Sequence, residues 1–209
     1  MTEVSLTSRV VYNLSKYLAV NPLLLGVFRL KTYGLGHIPK DTPVILVANH
    51  ASNFDVPVLT NAVNRPVAYM AKEELFTSWS SPILRTYGAF PVKRGTGDRG
   101  AIKASLQALA QGWTVGIFLE GTRTEDGKVR NPRLGAALIA AKAQVPVIPV
   151  SIWGTDNTLG KGEILPKPAP LTVRISELLD PPESTDKAVL QRHTEKYAQI
   201  INQLHDLGR

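Results

Sequence analysis

The chain has 209 residues, 44% of them apolar, enough for one sizeable core and not clearly for two. It contains no cysteine, which excludes disulfides, thiolate catalysis and cysteine-ligated metals and agrees with a reducing cytosol. A net charge of +7 favours anionic partners, whereas an aromatic content of 7% without basic and aromatic interleaving argues against a nucleic-acid platform.

Glu3 stands where a signal peptide would carry a basic region, and no small-residue cleavage site follows, so the chain is expected to begin in the cytosol. Val10 to Leu30 is rich in Val, Leu, Tyr and Phe but broken by Lys16, Asn21, Pro22 and Arg29. Its longest charge-free part, Tyr17 to Phe28, falls short of the roughly 20 apolar residues that span a bilayer. Residues 1–34 are therefore read as an amphipathic helical segment lying on a membrane, with Tyr12, Lys16, Tyr17, Arg29, Lys31 and Tyr33 as interfacial groups. The alternative is that these helices cover one face of the core. Residues 35–209 are read as one α/β domain, placed at the cytoplasmic face of the cell membrane as a peripheral or monotopic protein.

Within that domain, strands and helices alternate. Val44 to Ala48 has the continuous apolar pattern of a buried strand, and Phe54 to Asn64 reads as a helix ended by Arg65-Pro66. Val67 to Ala71 and Ala89 to Lys93 are predicted strands. Asp98 is placed to cap a helix with Ile102, Leu106 and Leu109 on one face, closed by Gly112. Thr114 to Leu119 is a strand, Leu134 to Ala143 a helix of small residues, and Val145 to Trp153 a further strand. Gly154 to Pro170, rich in Gly, Pro and Lys, reads as a flexible loop. Leu171 to Ile175 is a late strand, and beyond Pro181-Pro182 a final amphipathic helix carries Val189, Leu190, Tyr197, Ile200, Ile201 and Leu204. The rhythm implies a mixed, largely parallel sheet flanked by helices.

Ligands of open α/β sheets bind beyond the carboxyl ends of strands. His50 and Asp55 follow the first of the predicted strands; Lys93 and Arg94 follow the third; Glu120, Gly121, Thr122 and Arg123 follow the fourth. Histidine titrates near neutral pH, and a carboxylate on its second ring nitrogen would fix the tautomer and stabilise the imidazolium. Ala51-Ser52-Asn53 supplies the bend that such a pair needs. His37, His193 and His205 read as structural or solvated. No metal is expected, because His50 has no second ligand at suitable spacing, and no G-x-S-x-G elbow supports a serine hydrolase. Gly95 to Gly100 matches G-x-G-x-x-G, but Asp98 would set a negative charge against a pyrophosphate, so capping is the simpler account.

Four ordered blocks, Asn49-His50 with Asp55, Gly88 to Arg94, Glu120 to Arg123, and Val145 to Val150, resemble those of the glycerolphospholipid acyltransferases. The resemblance implies an enzyme without a cofactor that moves a fatty acyl group from acyl-ACP or acyl-CoA to the free sn-2 hydroxyl of 1-acylglycerol-3-phosphate, forming phosphatidic acid. It implies His50 as general base and Asp55 as its orienting partner, with no acyl-enzyme. Arg94 and Arg123, with Lys93 as a possible addition, take the acceptor's phosphate, and Glu120, Gly121 and Thr122 shape the pocket. Pro146 belongs to the fourth block, where lining the site and forming a buried strand are both open. Backbone amides near Asn49 to Asn53 are candidates for the oxyanion. Another lysophospholipid or glycerol-3-phosphate as acceptor, a non-catalytic lipid-binding protein and a nucleotide-dependent oxidoreductase are the alternatives.

Overall fold

The computed structural model describes residues 21–63, 65–78, 81, 84, 88–92, 99–159 and 165–209. Among these, seven strands form one sheet: β1 (Lys31–Tyr33), β2 (Ile45–Ala48), β3 (Val67–Lys72), β4 (Ala89–Val92), β5 (Thr114–Phe118), β6 (Val147–Trp153) and β7 (Thr172–Ile175). Their spatial order is β1-β7-β6-β2-β5-β3-β4, and every pairing is parallel except β6 with β7. The helices are α1 (Asn21–Gly26), α2 (Asp55–Ala62), α3 (Arg99–Ala110), α4 (Gly135–Ala143), α5 (Thr155–Thr158) and α6 (Lys187–Asp206).

Strand β2 explains the continuous apolar run. Ile45 and Val47 pack with α3, α4 and α6 on one face, while Leu46 and Ala48 pack with Val58 and Leu59 of α2 on the other. A parallel strand covered on both faces has no solvent side, so alternation gives way to a solid hydrophobic stretch. α4 is built from Ala136, Ala137, Ile139, Ala140 and Ala141 on its buried side, and these small side chains let it lie close to α3 and β2. Gln144, with φ at 52°, ends it.

The N-terminal region splits where the described residues begin. Residues 1–20, which include Tyr12, Lys16 and Tyr17, lie outside them. Residues 21–33, read from sequence as part of a membrane segment, contribute to the domain itself. Leu24 and Phe28 are buried in the cluster that holds α2, and Lys31 to Tyr33 pair with Thr172 to Arg174 as an edge strand. Leu23, Leu25 and Val27 point outward, 44 to 60% exposed against 1% for Leu24. No described helix is long and apolar enough to cross a membrane.

The stretch expected to be a flexible loop after β6 instead opens with the turn of helix α5. Gly154 makes that possible with φ at 92°, and a Cβ there would lie 2.3 Å from the carbonyl oxygen of Pro170.

Candidate active site

The strand order sets β2 between β6 and β5, with the carboxyl ends of all three on one edge. The chain leaves β2 toward β3 on one side, whereas β6 lies on the other, so this edge holds the crevice where open α/β sheets bind ligands.

Beyond β2 the backbone is tied down before the chemistry begins. The Asn49 side chain accepts from the Ile152 N–H and donates to the Ile152 carbonyl, each at 2.8 Å, and so continues the β2–β6 pairing past the strand end. Ser52 then makes the bend expected of it. Its hydroxyl oxygen accepts from the Phe54 N–H at 3.1 Å and its carbonyl from the Asp55 N–H at 3.1 Å. The hydroxyl also donates to the Leu159 carbonyl at 2.7 Å, fastening this turn to the segment after α5.

The turn returns Asp55 to His50. Asp55 Oδ2 lies 2.7 Å from His50 Nδ1, and a carboxylate accepts, so Nδ1 carries a proton and the neutral ring has its lone pair on Nε2. The same oxygen accepts the N–H groups of Ala51 at 2.7 Å and Ser52 at 2.8 Å, and Thr155 donates its hydroxyl to Oδ1. Four donors from two chain segments thus surround a carboxylate whose side chain is 1% exposed, while the imidazole keeps 16%. The ring of His50 stacks on Phe118 of β5 at a centroid distance of 4.0 Å, and Phe118 stacks in turn on Tyr69 of β3 at 6.2 Å. The imidazole is fixed by its hydrogen bond on one side and by an aromatic surface beneath.

The loop from β5 to α4 forms the neighbouring wall. Thr124 donates both its N–H, at 2.8 Å, and its hydroxyl, at 3.2 Å, to the His50 carbonyl. Glu120 is 7% exposed, and its Oε1 accepts the backbone N–H groups of Arg130 and, at 2.8 Å, Asn131. Its carboxylate closes the loop at its base. Gly121, Thr122 and Arg123 are exposed, and the Arg123 guanidinium meets no ion-pair partner among the described residues. Arg130 differs, since Asp126 holds it in a surface ion pair that drives the Asp126 carboxyl well below the usual carboxylate range.

The structure therefore brings together His50, Asp55, Glu120, Gly121, Thr122 and Arg123. Lys93 and Arg94 lie outside the described residues. Pro146 sits before the amino end of β6, on the opposite edge of the sheet, where its carbonyl accepts the Ile45 N–H at 3.0 Å. The amides of Ala51 and Ser52, candidates for an oxyanion, are already given to Asp55. Two residues went unread in the sequence. Thr155 lies 100 positions from Asp55 and carried no local signal. Arg133 is exposed, its side chain lies 3.5 Å from where a Gly121 Cβ would be, and it has no ion-pair partner among the described residues. An arginine beside the proline before α4 was the available signal. No group of three or more candidate metal ligands occurs among the described residues.

Residues 29–153 match the model of the family described as Acyltransferase. A Bacillus subtilis protein named 1-acyl-sn-glycerol-3-phosphate acyltransferase is 33% identical over 131 residues, 61% of this chain and 64% of that one. The Arabidopsis thaliana chloroplastic protein named 1-acyl-sn-glycerol-3-phosphate acyltransferase LPAT1 is 30% identical over 142 residues, 65% of this chain and 39% of its own length. The crystal structure of the 1-acyl-sn-glycerophosphate (LPA) acyltransferase PlsC from Thermotoga maritima superposes with a TM-score of 0.79 at 29% identity, covering 98% of this chain and 83% of that one. The matched part thus spans 39% and 64% of the length of these two curated relatives.

Proposed function

Because the chain belongs to the acyltransferase family, we propose that it transfers a fatty acyl group from a thioester donor to the sn-2 hydroxyl of 1-acylglycerol-3-phosphate, giving phosphatidic acid. The observation that carries this reading is the free Nε2 of His50, held at the sheet edge by Asp55 beside a loop with two uncommitted arginines.

In the proposed reaction Nε2 accepts the proton of the acceptor hydroxyl as its oxygen attacks the thioester carbonyl. Asp55 stabilises the imidazolium that forms. The tetrahedral intermediate collapses with loss of the thiolate, which takes the proton back from Nε2 and leaves as the free thiol of coenzyme A or of acyl-carrier protein. No covalent acyl-enzyme is required. Arg123 and Arg133 are assigned to the acceptor's phosphate, because planar guanidinium groups match phosphate oxygens with paired, charge-assisted hydrogen bonds. Arg94 and Lys93 are proposed to share that task.

The acceptor resides in a membrane, and the outward side chains of Leu23, Leu25 and Val27, next to Arg29 and Lys31, suit contact with an anionic lipid surface. We propose that the protein works at the cytoplasmic face of the membrane, a reading in which these side chains make the membrane contact. Purified protein assayed with acyl-CoA and acyl-ACP against lysophosphatidic acid tests the reading. His50→Ala should abolish turnover, and Arg123→Ala should raise the acceptor KM. Undiminished transfer by His50→Ala would refute the assignment.

A further inference from the structure

The arginine-bearing loop is held from behind by the far end of the chain. Asn202 of α6 meets Val129 as another strand would: its Oδ1 accepts the Val129 N–H and its Nδ2 donates to the Val129 carbonyl, each at 2.8 Å. One turn on, His205 Nε2 donates to the Asp126 carbonyl at 3.1 Å, which leaves Nδ1 to accept from the Ser151 hydroxyl of β6 at 3.4 Å. His205, read in sequence as structural or solvated, is buried, 9% exposed. The turn between these anchors threads a narrow gap. Gly127 has φ at 71°, and a Cβ there would lie 2.8 Å from His205 Cε1 and 3.2 Å from Asn49 Nδ2. The loop is thus wedged between the helix end and the residue next to the catalytic histidine.

The same loop contains Arg123 and ends at Arg133, and the 20-residue helix behind it is locked to the core by Leu190, Tyr197, Ala198 and Ile201. A loop whose outer residues are exposed gains its position from such anchors. A guanidinium displaced by an ångström loses its paired hydrogen bonds to a phosphate. We propose that Asn202 and His205 are positioning residues for acceptor binding, setting the distance between the His50 base and the phosphate-binding arginines. This rests on the reading of Arg123 as a phosphate ligand.

The test is steady-state kinetics of the full chain with lysophosphatidic acid in mixed micelles and whichever thioester donor turns over, alongside thermal melts. Asn202→Ala and His205→Phe should each raise the acceptor KM about tenfold, the scale of losing a pair of hydrogen bonds, with the donor KM unchanged. Asn202→Asp, which keeps the acceptor for Val129 and loses the donor, should fall between wild type and Asn202→Ala, and it carries the test if Asn202→Ala fails to fold. Val173→Ala, a core truncation in β7, lowers the melting temperature and should leave the acceptor KM alone. In a variant that lacks both Arg123 and Arg133, Asn202→Ala should add no further rise. If Arg123→Ala raises the acceptor KM and the Asn202 and His205 variants do not, the positioning role is refuted while the phosphate assignment stands. If Arg123→Ala itself leaves KM unchanged, the phosphate reading falls and takes this inference with it. An acceptor KM that rises equally in Val173→Ala would reduce the contacts to ordinary stability.

Discussion

The N–H of Thr124 donates to the carbonyl oxygen of His50 at 2.8 Å, and the Thr124 hydroxyl reaches the same oxygen at 3.2 Å. The residue next to Arg123 is thereby bonded to the residue proposed as the base. The proposed base and the proposed phosphate-binding arginine are held in one frame by a backbone hydrogen bond that most substitutions leave intact. Thr124→Ala removes only the second bond, so kcat/KM should fall by about three- to tenfold, the worth of one neutral hydrogen bond. Equal rates for the variant and the wild type would show that the main-chain bond suffices.

Thr155, the first residue of α5, is the donor to Asp55 that comes from a distant segment of the chain. Thr155→Val keeps the shape and removes the hydroxyl, leaving Oδ1 buried without that partner. The carboxylate is then freer to turn, and His50 less firmly oriented. A fall in kcat of roughly tenfold with little change in acceptor KM is expected, against roughly 10² to 10⁴ for Asp55→Asn, which removes the charge facing the imidazolium. Rapid-quench or steady-state assays at saturating acceptor measure both. A Thr155→Val loss as deep as that of Asp55→Asn would mean the threonine does more than orient.

Gly154 permits the turn that delivers Thr155. Gly154→Ala demands a left-handed conformation from alanine and brings its Cβ against the Pro170 carbonyl. A loss of about 1–3 kcal/mol in unfolding free energy is expected, with a drop in kcat as the Thr155 hydroxyl moves from Asp55. Urea denaturation and kinetics on one preparation link the two effects.

Tyr197 is fully buried, and its hydroxyl has no hydrogen-bond partner among the described residues. Burial pushes the phenol well above its ordinary value. The folded state therefore holds this proton more tightly than the unfolded chain does. The associated stability is complete below the unfolded value of about 10 and is lost as pH rises beyond it. Tyr197→Phe removes both the unpaired hydroxyl and that linkage. It should stabilise the protein near neutral pH by about 1 kcal/mol and make its alkaline loss of stability shallower, as thermal melts across pH would show.

The features legible in sequence were those whose cause is local. A solid apolar run such as Ile45 to Ala48 announces a doubly covered parallel strand, and Ser52 between His50 and Asp55 announces the turn that joins them. What escaped depends on distant partners. Lys31-Thr32-Tyr33 is too short and too exposed to read as a strand, and exists as one because Thr172 to Arg174 offer it an edge. Thr155 looks like part of a loop until β6 sets it over Asp55. His205 appears as one polar residue in an amphipathic helix, and only the fold shows that it points at the Asp126 carbonyl. Leu23, Leu25 and Val27 are exposed, while Leu24 and Phe28 between and beside them belong to the domain core.

Asp55 takes its last donor from a threonine 100 residues downstream. On a ribosome that interval is time. The histidine and its carboxylate emerge early, but β2 has neither of its sheet neighbours until β5 and then β6 have been made. A nascent chain that stops short of β6 therefore carries His50 and Asp55 without their last donor. The Thr155 contact arrives 100 residues after Asp55 has been made, so the pair gains its last donor only once β6 is in place.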